Sequence, residues 1–201
     1  MLGEHLRENH VRADVVLGLP RGGVVVAAEV ARILQLPLDV TVVRKIGHPR
    51  HREFAVGALA EGDVVLLDQA AIEATHVARR ELDAVLAEEK ERLGEYQLKF
   101  GRTTSLALSD KCVVVVDDGL ATGATAEAAV LSARQRAAGR IILAVPVAST
   151  SACDRLERVA DEVIALEVDP DFDAVGRYYQ HFSQTTDEEV IELLERARHR
   201  A

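Results

Sequence analysis

The stretch KCVVVVDDGLATGATAEAAV, residues 111–130, decides the fold of this chain. Its four consecutive valines are typical of a strand that is buried on both faces, and its alanine-rich end is typical of a helix. Between the two stand Asp117, Asp118 and a loop of small residues. A buried strand that leads through a short loop into a helix is the repeating unit of a parallel sheet.

The same alternation of apolar strands and helices continues along the whole chain. Strand patterns cover residues 13–20, 37–45, 140–148 and 161–168, and helix patterns cover residues 22–36, 70–98, 124–138, 150–160 and 186–200. We therefore expect an α/β fold, with a mainly parallel, twisted sheet that is flanked by helices on both faces.

The sequence shows no internal repeat and no Gly/Ser-rich linker, so we expect a single domain over residues 1–201. The polar segment 46–105 is too long for a simple crossover, and we interpret it as a lid or hood excursion. Its long helix is equally suited to a dimer surface. Residues 168–201 are interpreted as a C-terminal hood that ends in a helix, where Thr186 and Glu189 have capping-box spacing.

Composition narrows the possible functions. Acidic residues outnumber basic ones by 33 to 24, and the resulting formal charge of −9 disfavours a nucleic-acid partner. The sequence MLGEHLRENH at the start lacks the apolar core of a signal peptide, and no apolar run reaches the ~20 residues of a membrane helix. We expect a soluble, cytoplasmic protein without a membrane partner.

Asp117 and Asp118 are the first candidate site residues. Two adjacent carboxylates repel one another, and burying them is costly unless cations or hydrogen-bond donors meet them. Mg²⁺ and sugar hydroxyls both engage carboxylate oxygens. The loop that follows offers backbone N–H groups at a helix start, and the hydroxyls of Thr122 and Thr125, which suits a phosphate monoester. The alternative is a charged turn followed by a threonine cap.

Two further strand ends carry groups that suit an anion. GLPRGG, residues 18–23, places paired glycines and Arg21 between a strand and a helix, where N–H groups and a guanidinium can meet phosphate oxygens. Arg44 and Lys45 end the next strand pattern and would add charge if that end lies beside Arg21. An ordinary tight turn and two solvated cations are the alternatives.

Other site types find little support. A haloacid-dehalogenase-type site would need an Asp where Val116 stands, and no Gly-x-Ser-x-Gly elbow occurs. His48 and His51 lack the spacing of a zinc site. Aromatic residues cluster late in the chain, where they either fill a satellite core or stack on a planar ligand. They are Phe172, Tyr178, Tyr179 and Phe182.

VVVVDDGLATGAT, residues 113–125, resembles the 5-phosphoribosyl-1-pyrophosphate (PRPP) motif of type I phosphoribosyltransferases. LPRGG, residues 19–23, resembles the pyrophosphate loop of that family, in which a non-proline cis peptide is common. Residues 14–198 are similar to a group of bacterial phosphoribosyltransferase-like proteins without an assigned base. The closest likeness lies in VRKIGHP, EFAVGALAEG and FDAVGRYYQHFSQTTDEEVIELL.

The resemblance implies a Mg²⁺-dependent pentosyltransferase of nucleotide metabolism, which moves the phosphoribosyl group of PRPP to a nucleobase-like acceptor and releases pyrophosphate. Asp117 and Asp118 would bind the ribose hydroxyls, hold Mg²⁺ directly or through water, and face the charge that develops on the sugar. The 5′-phosphate would be held by Ala121, Thr122, Gly123, Ala124 and Thr125. The pyrophosphate would be held by Arg21, Gly22 and Gly23, with Arg44 or Lys45 adding charge.

The sequence leaves the identity of the acceptor open. The 6-oxopurine salvage enzymes place an Asp where this chain has Ala121, and a base-reading Lys after the next strand, where PVAST offers none. These departures count against a hypoxanthine or guanine acceptor. A non-catalytic PRPP sensor or regulator on the same fold is the alternative function, a generic nucleotide-binding protein is a remote third, and a homodimer is possible.

Overall fold

A computed structural model of the chain describes residues 1–100 and 106–199. Its strands are β1 (Val15–Gly18), β2 (Leu38–Val40), β3 (Val43–His48), β4 (His51–Ala60), β5 (Val64–Leu67), β6 (Cys112–Val116), β7 (Arg140–Ser149) and β8 (Glu162–Asp169). Its α-helices are α1 (Leu2–Glu8), α2 (Gly22–Leu34), α3 (Gln69–Ala74), α4 (Arg79–Lys99), α5 (Ala124–Gln135), α6 (Thr150–Leu156) and α7 (Asp187–Arg198), with a 3₁₀ turn at Val175–Tyr178. Parts of the predicted segments 46–105 and 168–201, namely residues 101–105 and 200–201, lie outside the described residues.

Five strands form a parallel sheet in the order β2-β1-β6-β7-β8. The valine strand lies at its centre, because Val113 pairs with Val15 on one side and with Ile141 on the other. The predicted α/β class, with a parallel sheet between layers of helices, is confirmed. The carboxyl ends of β1 and β6 lie side by side, and this arrangement brings the loops after them together.

The two faces of this sheet explain why its central strand is apolar throughout. Val114 and Val116 pack on the face that α1, α2 and α7 cover, with Val16 from β1. Val113 and Val115 pack on the opposite face, which α5 and α6 cover. Since successive side chains of a strand point to opposite faces, a strand between two helix layers has no polar side.

The prediction of one strand over residues 37–45 is wrong in one respect, because the chain passes from one sheet to another within this range. Only Leu38–Val40 pairs in the parallel sheet, and β3 instead pairs antiparallel with β4. Together with β5 they form a second sheet in the order β3-β4-β5. A continuous β-branched run is favourable in both sheets, so the sequence alone does not show where the chain passes from one to the other.

The single helix predicted over residues 70–98 is two helices, α3 and α4. The Thr75 hydroxyl donates a hydrogen bond to the Ala71 carbonyl at 2.6 Å at the end of α3, and the Ala78 N–H donates to Glu81 Oε2 at 3.2 Å at the start of α4. Ile72 and Leu82 nevertheless pack against the same apolar cluster. The apolar period therefore continues across the break and hides it.

The segment after residue 46 is packed against the rest of the protein. Ala58 and Ala60 of β4 lie against Ala128 of α5, and these small side chains let the second sheet approach that helix closely. Ile46 and Val85 belong to the same buried cluster as α2. Across residues 1–100 and 106–199, none of the helices combines the length and the apolar composition of a membrane span.

Candidate functional site

The acid pair, Asp117 and Asp118, lies where β6 ends, and both residues are partly shielded from solvent. The Asp118 N–H donates a hydrogen bond to Asp117 Oδ1 at 2.9 Å. Burial raises the pKa of Asp117 well above its ordinary value, and the charge of Asp118 raises it further. Burial also raises the pKa of Asp118. The pair is short of compensating positive charge and is therefore suited to a cation or to hydroxyl donors.

The PRGG loop, Pro20 to Gly23, lies directly against the acid pair. A Cβ atom added at Gly22 would stand 1.9 Å from Asp118 Oδ2, and one added at Gly23 would stand 2.8 Å from Asp117 Oδ1. The same atom at Gly23 would stand 2.9 Å from the Asp117 Cα, so glycine is needed there for close approach of the two chain segments. The predicted pyrophosphate loop and the predicted ribose-binding acids thus meet at one point.

Arg21 stands at the rim of this contact. It occupies the N-cap position of α2, its side chain is exposed, and the peptide bond between Pro20 and Arg21 is cis, as the resemblance implies. Its Nη1 atom lies 3.9 Å from Asp187 Oδ1 at the start of α7. The guanidinium is thus accessible to an anion at the start of α2, where the helix dipole adds positive potential.

The small-residue loop, residues 119–125, turns from β6 into α5. Gly123 has a φ of 73° and is the N-cap residue of α5. As at the start of any α-helix, the first backbone N–H groups of α5 have no acceptor within the helix. The Ser149 hydroxyl at the end of β7 donates to the Ala121 carbonyl at 2.6 Å and fixes the loop from behind. The predicted phosphate ligands all lie in this turn, and they are Ala121, Thr122, Gly123, Ala124 and Thr125.

A cavity of about 540 Å³ opens beside Arg21 and Asp118, between α2, α7 and the segment that precedes α7. The Tyr179 hydroxyl lines it and donates a hydrogen bond to the Asp118 carbonyl at 2.7 Å. Burial and the charges of the acid pair raise the pKa of Tyr179, so this hydroxyl stays a donor. The Phe182 ring, 51% exposed, lies 5.2 Å from that of Tyr179 in the same wall.

A second cavity of about 560 Å³ opens beside Ala121 and Thr122. Phe172 lines it, and its ring stacks at 5.5 Å on that of Tyr178. A hydrogen bond to Asp169 raises the pKa of Tyr178 to about 12. The late aromatic cluster is therefore divided between two cavities, one beside Asp118 and one beside Ala121 and Thr122.

Arg44 and Lys45 lie on β3 and not at the end of a parallel strand. Arg44 Nε donates to Glu89 Oε2 at 3.0 Å, and its guanidinium lies 5.2 Å from the centre of the Tyr96 ring. Lys45 is exposed, and its charge lowers the pKa of Asp117 against the effect of burial. Lys45 thus acts on the acid pair, whereas the contacts of Arg44 disfavour its predicted role, which stays a prediction.

The protein side chains at this edge suit a metal that arrives with its ligand. Within residues 1–100 and 106–199, no group of three or more His, Cys, Asp or Glu side chains is arranged to hold an ion. Mg²⁺ is usually bound by one or two carboxylates, with substrate phosphates and waters completing its shell. Asp117 and Asp118 are the residues that would hold it, and they fit that pattern.

Three residues at the site were missed or undervalued by sequence reasoning. Ser149 stands at the carboxyl end of β7, and the rule that ligands gather at such ends would have found it. The sequence suggests only a core or stacking role for Tyr179, because its hydrogen-bond partner Asp118 lies 61 residues away. Asp187 reaches Arg21 from a still more distant part of the sequence, and no local pattern marks it.

The sequence profile described as "Phosphoribosyl transferase domain" matches residues 1–180, which contain the acid pair and both loops. The chain belongs to the phosphoribosyltransferase family. A protein of Mycobacterium tuberculosis named "Putative phosphoribosyl transferase" is 44% identical over an alignment of 200 residues, which covers 98% of this chain and 44% of that protein. A protein of a second strain of that species gives the same match. Since the match covers 44% of each relative, the chain spans less than half the length of these curated relatives.

A solved structure shows the same fold. The crystal structure of TT1426 from Thermus thermophilus matches with a TM-score of 0.78 and 45% sequence identity, over 96% of this chain and 92% of that one. The predicted resemblance to the type I phosphoribosyltransferase family is confirmed.

Proposed function

We propose that this protein moves the 5-phosphoribosyl group of PRPP to a nucleobase-like acceptor and releases pyrophosphate, with Mg²⁺ as the metal. The observation that carries the proposal is the contact between the PRGG loop and the acid pair. A Cβ atom at Gly22 would stand 1.9 Å from Asp118 Oδ2, so the two predicted subsites share one boundary. A ligand that joins a sugar to a diphosphate spans such a boundary.

Three neighbouring features suit the three parts of PRPP. The backbone N–H groups and hydroxyls of residues 121–125 suit the 5′-phosphate. The acid pair suits the ribose hydroxyls, which donate hydrogen bonds to carboxylates. Arg21, Gly22 and Gly23 suit the pyrophosphate, with the start of α2 behind them.

Charge then explains how the site would act on the sugar. As pyrophosphate leaves C1′, positive charge builds on the ribose ring, and the ionised acid pair stabilises it. Burial raises the pKa of both acids, and a bound cation would favour their ionised form. Bound Mg²⁺ would supply charge neutralisation at the leaving pyrophosphate. The residues of the chain chiefly position the substrate.

The acceptor is best accommodated in the cavity beside Ala121 and Thr122. In a direct displacement at C1′, the acceptor approaches from the side opposite to the leaving pyrophosphate, and therefore away from Arg21. Phe172 lines this second cavity and offers a ring on which a planar acceptor can stack. Thr150 offers a hydroxyl beside it.

The experiment is to incubate the protein with PRPP, Mg²⁺ and a panel of nucleobases, and to follow pyrophosphate release over many turnovers. We expect release that depends on one class of base. The variant with both Asp117→Asn and Asp118→Asn is the matched control and should release none. A protein that neither binds PRPP saturably nor releases pyrophosphate with any acceptor would refute the proposal.

The second candidate function is a PRPP sensor that binds without turnover. Ala121 favours it, because a methyl group stands at a loop position that lines the second cavity, where an ionisable side chain could otherwise assist at the acceptor. Saturable PRPP binding without pyrophosphate release in every mixture would support the sensor over the enzyme. Turnover with any one base would remove it.

A further inference from the structure

Asp187 is a shielded carboxylate that faces the PRGG loop from another part of the chain. It is the first residue of α7, and its side chain is 12% exposed. Its Oδ2 atom accepts a hydrogen bond from Lys99 Nζ at 2.7 Å. Its Oδ1 atom is buried, accepts no hydrogen bond within the described part of the chain, and lies 3.9 Å from Arg21 Nη1.

The start of α7 holds this carboxylate in a fixed place. The Glu189 N–H donates to Thr186 Oγ1 at 3.1 Å and the Thr186 N–H donates to Glu189 Oε2 at 2.7 Å, so the predicted capping box is confirmed. Val190 and Leu194 are buried in the apolar cluster that includes α2. An acidic side chain in the first turn is also favoured by the helix dipole. The capping box and the buried side chains hold α7 in position, and Asp187 therefore stays beside Arg21.

This inference rests on the proposed role of Arg21 as a pyrophosphate ligand. We propose that Asp187 is the internal counter-anion of Arg21: it holds the guanidinium when the loop is empty, releases it to a diphosphate, and thereby sets the affinity of the loop. The Nη1–Oδ1 distance of 3.9 Å is beyond hydrogen-bond length, so the attraction is coulombic and the guanidinium can turn away without breaking a bond.

Two effects give the carboxylate a negative influence on diphosphate binding. The carboxylate and the diphosphate compete for the same five N–H donors of Arg21. They also repel each other across a partly shielded space, in which charges are weakly screened. Both effects require the charge of Asp187, and the first also requires the presence of Arg21.

Lys99 keeps this carboxylate in place when Arg21 leaves it. It ends α4 and donates to the other oxygen of Asp187, and that hydrogen bond raises the pKa of Lys99. The carboxylate therefore retains one cation throughout the exchange, and only its Oδ1 side loses a partner. Asp187 thereby links the PRGG loop to both α7 and the end of α4.

The test measures binding of inorganic pyrophosphate in the presence of Mg²⁺ by titration calorimetry. Asp187→Asn should bind pyrophosphate about three- to tenfold more tightly than the unaltered protein. Glu188→Gln is the matched control, since it removes the same charge from an exposed neighbour in the same turn, and should change the affinity less than about twofold. Lys99→Met, which leaves Asp187 charged, should weaken binding.

A double-mutant cycle separates competition for Arg21 from a general charge effect. In an Arg21→Gln background, binding should be weaker, and Asp187→Asn should tighten it much less. Equal tightening in both backgrounds would refute the role of Arg21, and unchanged or weaker binding by a folded Asp187→Asn protein would refute the inference. Failure of the unaltered protein to bind pyrophosphate and PRPP at all would refute the proposed function itself. Thermal unfolding of each variant, followed by circular dichroism, confirms that it is folded.

Discussion

Glu89 and the acid pair all carry carboxylates that are shielded from water, but the protein neutralises these charges to different extents. Glu89 lies on α4 at 5% exposure. It accepts hydrogen bonds from Arg44 Nε at 3.0 Å and from Arg92 Nη1 at 2.7 Å. Two cations of the protein itself therefore neutralise it, and the arrangement joins α4 to the second sheet.

The acid pair has no such arrangement within the described residues. Asp117 and Asp118 have each other as charged neighbours, and the effect of Lys45 on the pKa of Asp117 is smaller than the effect of burial. A carboxylate that the fold itself neutralises contributes to structure, whereas one that the fold leaves short of positive charge is suited to a ligand. This difference separates the structural acid from the candidate functional acids.

The largest effect is expected when the charges of the acid pair are removed. A protein with Asp117→Asn and Asp118→Asn should lose PRPP affinity by about 100-fold or more, because two charged acceptors of ribose hydroxyls and Mg²⁺ are lost. The fold should survive, since both side chains keep their size. Calorimetric titration with PRPP and Mg²⁺ measures the affinity. Undiminished binding would show that these acids do not form the site.

Removing the charge of Glu89 should have the opposite consequences. Glu89→Gln leaves Arg44 and Arg92 without their carboxylate and should lower the free energy of unfolding by about 2 kcal/mol. PRPP affinity should change little. Urea denaturation measures the first quantity and PRPP titration the second. If this variant lost PRPP binding while staying folded, the division between structural and functional acids would be incorrect.

The close approach behind the acid pair can be tested at Gly23. A Cβ atom there would stand 2.9 Å from the Asp117 Cα and 3.0 Å from the Val116 carbonyl oxygen, so the backbone itself must shift. Gly23→Ala should lower the free energy of unfolding by about 1–2 kcal/mol and weaken PRPP binding. Denaturation and titration measure the two effects.

Gly94→Ala is the matched control for this variant. A Cβ atom at Gly94 in α4 would meet nothing within 4 Å, so alanine should stabilise the protein by about 0.5–1 kcal/mol through its helix propensity. PRPP affinity should be unchanged. Equal behaviour of the two alanine variants would argue against close packing at the PRGG loop.

A small, pH-dependent gain in stability is expected at Asp117. Burial raises the folded-state pKa of this carboxyl above its unfolded value, so the folded protein loses stability as pH rises from the unfolded pKa through the raised one. Asp117→Asn carries no such charge and should be more stable by about 1 kcal/mol above that pKa. The gain should vanish at a pH below the ordinary carboxyl range, which thermal unfolding at several pH values measures. A gain in stability that does not change with pH would contradict the raised pKa of Asp117.

Much of the fold could be read from residue patterns, and the errors have physical causes. The parallel sheet follows from apolar strands such as residues 113–116, because burial on both faces requires it. The sheet change after Val40 could not be read, since β-branched residues suit either sheet. The break between α3 and α4 was hidden because Ile72 and Leu82 continue one apolar period into the same core.

The sequence by itself determined the local patterns of the candidate site. Adjacent acids after a buried strand, a small-residue loop at a helix start and PRGG after another strand are local patterns, and each is fixed by neighbouring residues. Local steric and hydrogen-bonding rules act over such short stretches, so these features need no knowledge of the rest of the fold.

Only the tertiary structure decided which distant residues lie at the candidate site and which are held elsewhere. Arg44 is held by Glu89, Lys45 acts on Asp117, Tyr179 reaches the Asp118 carbonyl, and Asp187 faces Arg21. These contacts join residues that are far apart in the sequence. They depend on how helices and sheets pack, and packing is set by the whole core rather than by any local stretch.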